Sequence, residues 1–148
     1  MRRTGMVLIL TSLLGCGAPT PDNLGPRDGT LAPCPGSPNC VHTGMRHPDG
    51  TAGMYLTGNV TGPELMTRLE SVVESMPRTE VVESASGYLR AEAKSLLFRF
   101  IDDLELLVGV DGELIVRSAS RLGEGDLGVN ARRVTELRQR LQEAGLVR

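Results

Sequence analysis

Between residues 80 and 120 the chain runs through short apolar and β-branched segments in which polar and apolar side chains alternate. Period-two alternation is the pattern of strands with one face buried, so this stretch commits the chain to an antiparallel sheet. The expected strands are 80–84, 88–93, 96–101, 104–110 and 113–120, with Asp111-Gly112 as a two-residue hairpin signal between the last two. A shorter strand is expected over 54–60. Thr61-Gly62-Pro63-Glu64 opens a helix, because proline tolerates the first turn and Thr or Gly suits the cap. Leu65, Leu69, Val72, Val73 and Met76 give that helix its apolar stripe, and Pro77 ends it. A second helix is expected from Asp126 or Asn130 to Ala144, with Val134, Leu137, Leu141 and Ala144 as its stripe and Gly145 as its stop. The expected fold class is α+β: a curved antiparallel sheet of about five strands with two helices on one face, in the order strand, helix, three or four strands, helix.

The first fifteen residues belong to a different kind of segment. Arg2 and Arg3 precede an apolar stretch from Met6 to Leu14 that is too short to span a bilayer, which takes roughly 20 helical residues, and is the length of a signal-peptide core. Leu13-Leu14-Gly15-Cys16 follows and resembles the lipobox of bacterial lipoproteins, in which the thiol of the cysteine receives diacylglycerol. Leu14 is bulkier than the small residue usual there. The expectation is a signal peptide over 1–15, lipidation at Cys16, a flexible tether over 16–30 rich in prolines, and one domain over 31–148. Loss of Arg2 and Arg3 takes the formal net charge from −2 to −4, so an anionic membrane surface offers the body no attraction and the lipid itself is the anchor. The expected location is the cell envelope, facing the periplasm, with Gly17 pointing to the outer membrane, or the cell exterior.

Composition narrows the partners. There is no tryptophan, and Tyr55, Tyr88, Phe98 and Phe100 are the aromatic residues, which is poor material for base stacking or a sugar groove. No basic block exists, so nucleic acid is excluded as a partner. No G-x-S-x-G elbow is present, Gly123, Gly125 and Gly128 follow no phosphate-cradle spacing, and no cofactor is expected.

Three groups of residues remain that could carry chemistry. Cys34 and Cys40 are the cysteines left once Cys16 is lipidated, and an even count in an exported domain favours a disulfide. Zinc on Cys34, Cys40, His42 and His47 is an alternative, weakened by the C-x5-C spacing, and free or redox-active thiols are another. Asp102, Asp103 and Glu105 form an acidic cluster at a strand start or in a turn. On a strand, Asp103 and Glu105 share a face and Asp102 takes the other. Arg117 and Arg121 likewise share one face, with Ser118 and Ser120 on the other. Asp126 or Asn130 caps the last helix; if that helix begins by Asp126, Asn130 is buried and takes partners from the 121–125 loop.

Two stretches resemble one family. Leu31-Ala32-Pro33-Cys34-Pro35-Gly36-Ser37-Pro38-Asn39-Cys40-Val41 is similar to the opening motif of the proteins grouped as domain of unknown function 1499 (DUF1499). Phe100-Ile101-Asp102-Asp103-Leu104-Glu105, Arg117-Ser118-Ala119-Ser120-Arg121-Leu122-Gly123, Asp126-Leu127-Gly128-Val129-Asn130 and Arg133 resemble the same family, so the likeness spans 31–142. It covers the cysteines and not the histidines, and implies no activity. The residues favour a non-enzymatic domain that binds a small ligand, an anion among the candidates, or an envelope protein through Asp102, Asp103, Glu105, Arg117, Ser118, Ser120, Arg121, Asp126, Asn130 and Arg133. The alternative is an envelope hydrolase using the three carboxylates with Arg117 and Arg121.

Overall fold

The computed structural model describes residues 18–44, 53–96 and 100–148. Cys16, the segment 1–15 and His47 lie outside them. Among the described residues the elements run β1 (Cys40–His42), β2 (Met54–Tyr55), α1 (Gly62–Glu74), β3 (Thr79–Ala85), β4 (Tyr88–Lys94), β5 (Ile101–Val108), β6 (Glu113–Ser120) and α2 (Val129–Glu143). The strands make one antiparallel sheet in the order β1-β6-β5-β4-β3, with β2 also paired to β6.

The α+β class and the two helices agree with the sequence, while the strands differ in three places. β1 lies where the prolines indicated only a loop; its backbone is used because Cys40, Val41 and His42 pair with Ala119, Ser118 and Arg117. The strand expected over 54–60 is reduced to Met54–Tyr55. Of the two readings of Asp102-Asp103, the strand start holds and the turn does not: β5 begins at Ile101 and runs through both aspartates, in place of separate strands over 96–101 and 104–110, because each aspartate finds an arginine on its own face. The hairpin after β5 is also wider than Asp111-Gly112 alone. Gly109 N–H donates to Glu113 O at 2.7 Å, and Gly112 adopts φ 73°, the left-handed position that closes a three-residue loop.

Both helices cover one face. Leu65, Leu69 and Val73 of α1 and Val134, Leu137 and Leu141 of α2 pack on Leu89, Ala91, Leu104, Leu106, Leu114 and Val116. Each of the leucine and valine side chains among them contributes about 1.5–3 kcal/mol on leaving water. The opposite face has a thinner cover made by the chain before β1. Leu31 is buried there with Tyr88, Leu107 and Ile115. Residues 18–30, expected as part of a flexible tether, lie along this face: Gly25 N–H donates to Glu105 Oε1 at 2.8 Å, and Ala18 O accepts from Arg121 Nη1 at 3.4 Å.

Candidate functional site

Strand parity divides the polar residues into two clusters. The first lies on the helix face, where α2 begins. Asp126 precedes that helix, and its carboxylate accepts the backbone N–H of Gly128 (2.9 Å) and of Asn130 (2.6 Å). Asn130 has no accessible surface, and its Nδ2 donates to Asn39 O, Ser120 Oγ and Asp126 Oδ2 while Oδ1 accepts from Ser118 Oγ. Arg133 completes the group, donating to Asn130 Oδ1, to Ser118 Oγ and to Asp102 Oδ2, the last at 2.7 Å. The partners expected for Asn130 from the 121–125 loop are instead β6 serines and Asn39. Each polar atom here is turned toward another, which suits a structural joint between α2 and the sheet.

The second cluster lies on the opposite face. Asp103 is gripped by Arg121 through two bonds, Nε–Oδ2 at 2.7 Å and Nη2–Oδ1 at 2.8 Å, with Arg90 Nη1 3.4 Å away. Arg121 Nη2 also reaches Glu92 Oε1 at 2.5 Å. Its hydrogen bond to Asp103 raises the guanidinium pKa above its ordinary value, against the opposing effect of burial. Glu105, with no accessible surface, accepts from Arg117 Nη1 (3.0 Å), Tyr88 Oη (3.0 Å) and Gly25 N (2.8 Å). Burial and then the Glu105 charge push the Tyr88 hydroxyl pKa up.

Arg117 is only 4% exposed, and its Nε–H has no acceptor among the described residues. It lines a cavity of about 290 Å³ together with Asp103, Arg121, Asn39, Pro21 and Asn23. A buried donor left without a partner costs roughly 1–3 kcal/mol, and the residue that carries this one lines the cavity. A larger depression of about 590 Å³ between α1 and the β3–β4 hairpin has one charged residue, Glu70, on its wall and no such donor.

The ten residues singled out in the sequence are therefore all polar anchors of the sheet, though they do not form one constellation. Asp103, Glu105, Arg117 and Arg121 gather around the cavity. Asp102, Ser118, Asp126, Asn130 and Arg133 gather on the helix face, and Ser120 joins them through Asn130 while also bordering the cavity. Arg90, Glu92, Tyr88 and Asn39 were missed. A signal for three of them exists: Tyr88, Arg90, Glu92 and Lys94 alternate with Leu89, Ala91 and Ala93, which assigns them to one face of β4. Register then sets Arg90 against Glu105 and Glu92 against Asp103.

Cys34 and Cys40 are joined in a disulfide, with Cα atoms 5.6 Å apart. Both thiolates that the zinc alternative needs are consumed by that bond. His42 is buried, with Nδ1 accepting from Gly44 N at 3.1 Å and Nε2 3.4 Å from Leu31 O. Among the described residues no group of three or more potential ligands is arranged to hold a metal ion, and no helix is long and apolar enough to cross a membrane.

No curated protein and no solved structure matches the chain. The family model described as protein of unknown function (DUF1499) matches residues 30–141, the span that contains the disulfide, both polar clusters and the sheet. The chain belongs to the DUF1499 family.

Proposed function

We propose that the chain is a lipid-anchored cell-envelope protein whose folded body binds a compact ligand bearing an oxyanion, held in the cavity beside Arg117. The lipobox-like Leu13-Leu14-Gly15-Cys16 supports the location. One observation carries the binding reading: a buried arginine that lines a cavity and whose Nε–H is unfilled among the described residues. A carboxylate or phosphate oxygen supplies the missing acceptor, and the arginine fork favours such planar, charged acceptors over neutral ones.

The hydrolase alternative receives no support from the site. Asp103 and Glu105 are each held by an arginine, and Asp102 faces the helices with Arg133. A general acid or base needs a carboxyl group that can exchange its proton with a substrate. These three carboxylates are occupied as counter-ions, so binding is the chemistry left to the cavity.

The test compares the wild-type protein with Arg117→Lys, which keeps the positive charge beside Glu105 and removes the Nε donor. Thermal midpoints are measured with inorganic phosphate, glycerol phosphate and acetate. Wild type is expected to be stabilised by at least one of these anions, because a ligand that binds only the folded state raises the midpoint, and the lysine variant is expected to lose that shift. Equal behaviour of the two proteins, or no shift with any anion, means that water alone occupies the cavity and the binding reading is wrong.

A further inference from the structure

We infer that the cavity beside Arg117 is held against the bilayer by the chain's own N-terminal segment, and that its oxyanion is the phosphodiester of a membrane lipid headgroup. The inference rests on the proposed acylation of Cys16 and on the binding reading of the cavity.

Part of the cavity wall is built from chain that emerges next to the anchor. Pro21 and Asn23 line it, Ala18 O accepts from Arg121 Nη1, and Gly25 N–H is fixed on Glu105. Cys16 precedes Ala18 by two residues in the sequence, and two residues of chain have a contour of at most about 7.6 Å. A lipid on Cys16 therefore leaves almost no tether between the bilayer surface and Arg121. The glycerol of the anchor and the phosphates of neighbouring lipids occupy the same interfacial layer, so the cavity meets headgroups by geometry.

Charge selects among them. Cleavage before Cys16 leaves a net charge of −4, so long-range attraction does not bring anionic lipid to the body. The charged lining is local and of opposite sign: Arg117 and Arg121 against Asp103. Arg117 and Arg121 are already countered by Glu105, Asp103 and Glu92, so the site accommodates the single negative charge of a phosphodiester better than the double charge of a phosphate monoester. A volume of about 290 Å³ is at the small end of ligand sites, commonly about 300–1,000 Å³. That suits a headgroup and leaves acyl chains outside.

The experiment uses the full, acylated protein in maltoside micelles, which contain no phosphate. Thermal midpoints are recorded with phosphatidylglycerol in the micelle or with soluble glycerophosphoglycerol. The mass of the N-terminal peptide reports acylation of Cys16. Sharing a micelle raises the effective headgroup concentration, so phosphatidylglycerol is expected to reach half its effect at a bulk concentration at least about tenfold below that of the soluble compound. A flexible Gly/Ser insert of about 20 residues between Gly17 and Ala18, adding a span of roughly 25 Å, is expected to abolish that advantage and leave the soluble response unchanged. Equal potency of the two probes, or an insert without effect, overturns the membrane-facing orientation while the cavity reading stands. Absence of any response, or the same response in Arg117→Lys, overturns both. A Cys16 found without lipid overturns the orientation directly.

Discussion

Glu105 is a carboxylate with no contact with water, in a sheet whose other face is packed with leucines. It tolerates that position because three donors converge on it: the Arg117 guanidinium, the Tyr88 hydroxyl and the Gly25 amide. Removing one member of such a buried pair typically costs about 3–5 kcal/mol, because the remaining charge is stranded. Tyr88 gives this arrangement a pH signature. Its folded pKa is raised above the ordinary value of 10.0, so the folded state keeps a proton that the unfolded chain releases. The associated stability is present in full below about pH 10 and is lost as pH rises further. In urea unfolding followed from neutral to alkaline pH, wild type is expected to weaken steeply above that point. Tyr88→Phe is expected to be less stable by about 1 kcal/mol at neutral pH, from one lost hydrogen bond, and flatter in alkali. Parallel curves would show that Tyr88 does not carry the alkaline dependence.

At the scale of elements, α2 shows how a helix is started without a capping residue at the cap itself. Gly128 occupies that position with φ 74° and makes no side-chain cap. The N–H groups are taken by Asp126, two residues upstream. Asp126→Ala is expected to lower stability by about 1 kcal/mol, the usual size of a lost N-terminal cap, with α2 amides exchanging faster by hydrogen–deuterium exchange. Unchanged exchange at Val129, Asn130 and Ala131 would refute that role. The same end of the molecule shows what the sequence could and could not reveal. Helix stripes and strand parity are local, and they place Leu65, Leu69, Leu137 and Leu141 in the core, Asp103 with Glu105 on one face of their strand, and Arg117 with Arg121 on one face of theirs; that the two pairs meet follows from the register of β5 on β6. β5 was not legible as one strand, because two adjacent aspartates resemble a turn until Arg133 and Arg121 are known to wait on opposite sides. Arg90 and Glu92 joined the site only through pairing with β5, and β1 exists only because β6 offers it a partner. Those are contacts between distant segments, which a local pattern does not encode.

For the whole molecule, the second face depends on a cover that is mostly loop. Leu31 is its one deeply buried aliphatic anchor, and the disulfide ties the loop that follows to β1. Closing so short a loop stabilises the fold by roughly 2 kcal/mol on the chain-entropy view. Replacing Cys34 and Cys40 together with serine is expected to lower the unfolding free energy by about that amount and to make residues 31–39 the first region cut by protease. A double variant as stable and as resistant as wild type would remove the disulfide from the list of what holds the cover down. The alternation along β5 has a consequence for folding errors as well. Sliding that strand by one residue would turn Asp103 and Glu105 toward the two helices, where Arg133 answers a single carboxylate, and would push Leu104 and Leu106 among the arginines. A sheet misaligned by an odd number of residues thus strands charge in hydrocarbon. The ion pairs, whose net gain in the native state is small, act most strongly as penalties on the wrong ones.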